Sequence, residues 1–291
     1  MQQLLILSGK GGTGKTTITG AFIKLAKARA YADCDVDAPN LHLALNLSSQ
    51  PQLDDFYGLD KAEIDGEICT ECGLCRDHCR FGAIEIGQGG YTVNSFACEG
   101  CGVCQAVCPQ GAVTMAPAVA GELKLYEEGT VFSTAQLRMG SGNSGMLVSE
   151  VKRRMRDAAR DCEWAIIDGS PGIGCPVIAS LSGVDMVLIV AEPSLSGISD
   201  MERILKTAGQ FQTKAAVCVN KYDVNRENTR RIQEFCAGGD LPFLGAIPFD
   251  SNVIRAVNAG QSIVDIDCPA GRAVKEVYLR TLEVLKGNRN Y

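Results

Sequence analysis

Eight of the chain's 14 cysteines lie between residues 69 and 108. They read Cys69-x2-Cys72-x2-Cys75-x3-Cys79 and Cys98-x2-Cys101-x2-Cys104-x3-Cys108-Pro109. Each cysteine of the first run has a counterpart 29 positions later, and the same offset aligns Gly73 with Gly102, Gly82 with Gly111 and Ala83 with Ala112. The segment is therefore an internal duplication. Sets of four thiolates suit either a closed tetrahedral zinc site or an iron–sulfur cubane. Zinc modules pair one CxxC with another further along the chain, whereas here three cysteines recur at three-residue spacing, twice. That spacing lets one tight loop wrap three irons of a cubane, with the fourth cysteine starting the next element. Arg80 stands where the second run has Pro109. The proline is a turn device rather than a ligand, so the substitution removes no ligand. Arg80 either sets a positive charge beside a cluster or is a surface arginine. His42 and His78 are isolated and read as ordinary residues.

A second constellation opens the chain. An apolar strand, Leu4 to Leu7, runs into Gly9-Lys10-Gly11-Gly12-Thr13-Gly14-Lys15-Thr16-Thr17, followed by a helical pattern with Ile18, Phe22 and Leu25 on one face. Strand, G-x4-G-K-T loop and helix together make a P-loop. Its glycines let backbone N–H groups close around phosphates, Lys15 reaches the β- and γ-phosphates, and the Thr16 hydroxyl meets Mg2+. Further apolar strands are expected at Ala30 to Cys34, Trp164 to Asp168, Val187 to Ala191 and Val217 to Asn220. Strands alternating with helices imply a mostly parallel sheet covered on both faces, with ligand at the carboxyl ends of the strands.

The form KGGTGKTT resembles the deviant Walker A loop of MinD/ParA-like ATPases. The resemblance implies that Lys10 acts in trans, across a nucleotide-sandwich dimer. Asp33-Cys-Asp35-Val-Asp37-Ala-Pro-Asn40-Leu41 resembles the family's switch I. This places Asp33 near Mg2+ and makes Asp35 the residue that positions the attacking water. Asp168-Gly-Ser-Pro-Gly172 resembles Walker B and switch II, with Asp168 holding Mg2+ and the Gly172 N–H sensing the γ-phosphate. Asn220 matches the base-recognition asparagine, and Pro248 and Phe249 match the segment along the adenine. The two cysteine runs resemble bacterial two-cluster ferredoxins. Carried over, Cys69, Cys72, Cys75 and Cys108 hold one [4Fe-4S] cluster, and Cys79, Cys98, Cys101 and Cys104 hold the other. The implied fold is α/β, a MinD-like P-loop domain (residues 1–60 and 119–291) interrupted directly after switch I by a small α+β ferredoxin-like domain (61–118). Mrp-type scaffold ATPases and the nitrogenase iron protein are related. In the latter a bridging-cluster ligand stands at the offset of Cys175, but the preceding loop here offers Asn143 and Ser144 instead of a second cysteine. That glycine-rich loop opens a helix to about Ala159, with Asn143 or Ser144 suited to cap it.

The formal charge of −6 speaks against nucleic acid or an anionic membrane surface as partner. No apolar run approaches the roughly 20 residues that span a bilayer. Met1 to Leu7 reads as a first strand, not a signal peptide, which places the protein in the cytoplasm, where structural disulfides are rare. Cys34 and Cys218 are expected in strands as buried apolar residues. The expected activity is ATP hydrolysis coupled to electron transfer by two [4Fe-4S] clusters. The expected partners are a second copy or a paralogous ATPase, and a redox protein. A cluster scaffold is one alternative. A MinD-like positioning ATPase is another, although the amphipathic tail Val274 to Leu285 lacks a basic face and reads as a packing helix.

Overall fold

A computed structural model describes residues 1–47 and 49–287. Thirteen strands and ten α-helices follow one another as β1 (Gln2–Leu7), α1 (Lys15–Ala26), β2 (Ala30–Asp33), α2 (Leu41–Ala44), β3 (Gln52–Tyr57), β4 (Lys61–Ile64), α3 (Leu74–Asp77), β5 (Ile84–Gly87), β6 (Gly90–Val93), α4 (Val103–Ala106), β7 (Val113–Ala116), β8 (Val119–Tyr126), β9 (Val131–Leu137), α5 (Ser144–Ala158), β10 (Trp164–Asp168), α6 (Cys175–Leu181), β11 (Met186–Ala191), α7 (Leu195–Gln210), β12 (Lys214–Asn220), α8 (Arg226–Gly238), β13 (Phe243–Ile247), α9 (Ser251–Asn258) and α10 (Pro269–Leu285).

Nine strands form one sheet in the order β13-β12-β11-β1-β10-β2-β9-β8-β3. From β13 to β9 every neighbouring pair is parallel, while β8 and β3 close one edge antiparallel. The parallel strands are buried on both faces, which is why they read as unbroken apolar runs. Successive side chains enter opposite layers. Leu5, Leu7, Val187, Ile189, Val217 and Val219 join the layer of α5 to α8. Leu4, Ile6, Leu188, Val190, Ala216 and Cys218 join the layer of α1, α9 and α10. The tail is a packing helix as expected: Val274, Val277, Tyr278 and Leu285 are buried there, with Tyr278 edge-on to Phe22 at 5.1 Å.

Three local expectations are corrected. Asn143 does not cap α5 with its side chain; its backbone is left-handed, with φ 71°. The amide lies beside Gly58 instead. Cys34 is buried but follows β2 rather than belonging to it. The chain does not pass straight from switch I into the cysteine-rich segment either. α2 and β3 intervene, and the pairing of β3 along β8 fixes this stretch to the sheet edge. An extended stretch beside an antiparallel strand gains ladder hydrogen bonds that a free linker lacks.

Residues 61–116 stand outside the large sheet and realise the duplication in three dimensions. The 29-residue offset carries β4 onto β6, α3 onto α4 and β5 onto β7. β4 pairs antiparallel with β7, and β5 pairs antiparallel with β6. Each half thus contributes one strand to each ribbon. Gly73 and Gly102 precede the two short helices at φ 83° and 71°, a left-handed turn that glycine makes without cost. The segment's own core is small: Ala62, Cys75, Ala83, Ile84, Cys98, Cys104 and Val113. So little apolar burial does not hold a segment of this size by itself, and small units of this kind use metal or disulfide cross-links. None of the 14 cysteines is in a disulfide.

Candidate functional site

The carboxyl ends of β1, β2, β10 and β12 meet around the glycine-rich loop, where the strand order reverses about β1. Gly14 ends the loop at φ 90° and opens α1. A side chain there would be strained and would run into the Asn220 amide. Lys15 is buried, with Nζ 2.8 Å from Asp168 Oδ1. Burial works against its cation, but Asp168, with Asp33 and Asp35 behind it, outweighs that and raises the Lys15 pKa. The fully buried Asp168 also accepts hydrogen bonds from Thr16 Oγ1 and Thr19 Oγ1, both at 2.7 Å.

Asp33 is equally buried and organises the loop after β2. Its carboxylate accepts the backbone N–H groups of Asp35 (3.0 Å), Asn40 (3.0 Å) and Leu41 (2.9 Å). Burial, then the neighbouring Asp168, pushes its pKa up to about 7. Asp35 is raised too, mainly by burial. Asp33, Asp35, Asp168, Lys15 and Thr16 therefore share one locus: two fully buried carboxylates, a third nearby, one cation and a hydroxyl. A divalent cation supplies the positive charge such a locus lacks.

The other predicted residues take these places. Lys10 forms an ion pair with Glu192 of its own chain and donates to Ser194 Oγ at 3.2 Å. Asn220 Nδ2 donates to the Thr13 carbonyl at 2.6 Å. Together with Gly12, Gly14, Thr17 and Lys221 it borders a pocket walled by Ile247, Val253, Ile254 and Val257. Pro248 and Phe249 directly follow that wall, and the Phe249 N–H is taken by Asp223 Oδ1 at 2.7 Å. The Gly172 N–H donates to the Ser8 carbonyl at 3.0 Å. Sequence reasoning missed Thr19, Glu192 and the apolar wall. Thr19 stands three residues after Thr16, one turn along α1, and that spacing could have found it.

A profile of the CobQ/CobB/MinD/ParA nucleotide-binding domain matches residues 4–263. The chain belongs to this family. It is 31% identical over 290 residues to the uncharacterized protein MJ0578 of Methanocaldococcus jannaschii, covering 98% of each chain. It is 22% identical to the septum site-determining protein MinD of Neisseria meningitidis, over 96% of this chain and 90% of that one. In fold it matches the cell division ATPase MinD of Pyrococcus furiosus with a TM-score of 0.57 at 16% identity, covering 97% and 99% of the chains. The MinD/ParA family are P-loop ATPases, and the mostly parallel sheet is theirs.

Against the end of α6 the chain buries a further cation. Lys152 on α5 donates to the carbonyls of Ala179 (3.2 Å), Ser180 (2.6 Å) and Ser182 (2.6 Å), at the end of α6. Burial lowers its pKa to about 8, so at neutral pH the amine keeps the proton that these carbonyls accept. Lys152→Met leaves them without a donor. It should cost about 2 kcal/mol and lower Tm by roughly 4 °C in a thermal melt.

The cysteines gather into two pockets. Cys69, Cys72, Cys75 and Cys108 line one, with Ile64, Tyr91 and Pro109. Cys79, Cys98, Cys101 and Cys104 line the other, with Phe81, Ile84 and Val93. Burial raises the thiols of Cys75 and Cys104. Burial also works to raise Cys108, but backbone N–H groups of Gln110, Ala112, Val113 and Gly111 outweigh it and lower its pKa. The equivalent Cys79 sulfur accepts the Ala83 N–H at 3.4 Å. Among the described residues no three Cys, His, Asp or Glu side chains close around the position of a single metal ion. Cys175 is exposed at the start of α6, beside Gly145. The His78 Nδ1 lies 2.9 Å from the Leu74 carbonyl, and burial, then Lys124, lowers the pKa of His42. No helix among the described residues is long and apolar enough to cross a membrane.

Proposed function

We propose that this protein is an ATP-hydrolysing iron–sulfur protein. In this reading residues 1–60 and 119–291 form the ATPase domain, and residues 61–118 form an inserted ferredoxin-like domain with two [4Fe-4S] clusters. The observation that carries the reading is the exchange of the fourth cysteine. Cys108 lines the pocket of the first run, and Cys79 lines the pocket of the second. A cubane spreads its four ligands over four irons, so its thiols stand too far apart to share one ion. Each pocket is lined by four cysteines, three from one run and one from the other. The backbone N–H groups that lower the pKa of Cys108 favour its thiolate, the form that binds iron.

At the other end Lys15 and the loop N–H groups bind the phosphates of ATP. Thr16, Asp168 and Asp33 hold Mg2+, Asp35 orients water, and Asn220, Pro248 and Phe249 border the base. Lys10 leaves Glu192 to reach the partner's phosphates when two chains, identical or paralogous, close on the nucleotides. Bound clusters supply one-electron chemistry; the chain's own part is to hold them and present them to a redox partner in the cytoplasm. The relatives named as septum site-determining proteins favour a second reading, a positioning ATPase. Assembly and delivery of clusters is the remaining alternative.

The deciding experiment is iron and sulfide analysis with low-temperature EPR on protein purified without oxygen. About eight iron and eight sulfide per chain, with signals of reduced cubanes, are expected. Zinc, or no sulfide, refutes the iron–sulfur reading and leaves the positioning ATPase. Clusters that pass to an apo-acceptor when ATP is hydrolysed identify a carrier instead.

A further inference from the structure

The two four-cysteine pockets are chemically alike but stand in different surroundings. The second is fastened to the ATPase body. Gly100, in its loop, lies against Asp60 and Leu59 of the 1–60 part, while the bond from Lys61 to the Cys98 carbonyl ties the loop to β4 of its own segment. On its outer side this loop meets the segment between β9 and α5. A Cβ added to Gly140 would stand 3.3 Å from Phe96, and one added to Gly142 would stand 3.2 Å from a Glu99 carboxylate oxygen. The first pocket's loop turns back on its own segment, with Gly73 beside the Tyr91 hydroxyl and Glu71 beside Gly90.

The segment from Gln136 to Gly145 also touches both stretches that resemble the nucleotide switches. Leu137 N–H donates to the Val36 carbonyl at 2.8 Å, and Gln136 Nε2 donates to the Asp37 carbonyl at 3.1 Å, both in the loop that Asp33 organises. At its far end Gly145 packs against Cys175, the first residue of α6, and Lys152 ties the end of α6 to α5. A shift in either stretch must therefore be absorbed by this segment or passed to Phe96 and Glu99.

We propose that residues 136–145 relay the nucleotide state to the Cys79, Cys98, Cys101 and Cys104 site and not to its twin. This rests on the iron–sulfur reading above. The conformational change of the ATPase would then adjust the packing and charge around one cluster alone, and hydrogen bonding and exposure at the sulfurs are what tune a cluster.

The test uses reduced, cluster-loaded protein without oxygen, its EPR spectrum recorded with and without Mg2+ and a non-hydrolysable ATP analogue. Cys72→Ser, which keeps only the second cluster, should show a nucleotide-induced change; Cys101→Ser, which keeps only the first, should show none. The reverse pattern, an equal change in both, or no change in either with nucleotide bound, overturns the relay while the clusters stand. Absence of iron and sulfide from the unsubstituted protein refutes the underlying reading instead. Should either cysteine variant fail to load, Gly142→Asp sets a second carboxylate against Glu99 in an otherwise intact chain. It should keep both clusters and ATP hydrolysis and lose the nucleotide-induced change; a retained change counts against the relay.

Discussion

Lys15→Ala is expected to reduce ATP hydrolysis at least about 10²- to 10³-fold, the loss that follows removal of one pre-aimed charge from a transition state. Lys15 is buried and faces Asp168 at 2.8 Å, with Asp33 close by, so no surface lysine can replace it. The variant should also be less stable before ligand binds. Breaking a buried charge pair costs about 3–5 kcal/mol, because the remaining charge is uncompensated. Mg2+ with nucleotide should restore part of that loss. Phosphate release at saturating Mg–ATP and melting curves with and without ligand measure both effects. Turnover within about threefold of the parent protein would remove Lys15 from the phosphate site, since a group of this kind contributes far more.

The second large effect concerns the exchanged cysteines. Cys79→Ser and Cys101→Ser are expected to remove the same cluster although they belong to different runs, because both thiols line one pocket. Cys108→Ser and Cys72→Ser should remove the other. Each variant should retain about four iron per chain and full ATP hydrolysis. Metal analysis with EPR of the four variants reads the pairing directly. If Cys79→Ser instead matched Cys72→Ser, each run would close on its own site and the partition would be wrong.

These two sites differ in how they could be read from the chain. The glycine loop, Asp168 and the cysteine runs are local patterns whose chemistry depends on spacing along the chain, so single segments reveal them. Alternating apolar strands and helices likewise point to a parallel sheet, and the nine-stranded sheet follows that rule except at its antiparallel edge. That edge was not legible because β3, QLDDFY, is largely exposed and carries no unbroken apolar run. Glu192 beside Lys10 and Glu99 beside Gly142 depend on contacts between residues far apart in the chain, and no pattern at either end announces them. Asn143 shows a residue type misleading the reader: asparagine favours helix caps, yet it also tolerates the left-handed backbone found here.

The crosswise pairing of strands in residues 61–116 has an evolutionary consequence. A free peptide carrying one repeat would possess neither a complete ribbon nor a complete quartet of sulfurs. Two such peptides would supply each other's missing parts, so a symmetric pair of identical chains is the simplest ancestor this pattern admits. Fusion would then have freed the two copies to diverge, and Arg80 opposite Pro109 is one place where they did.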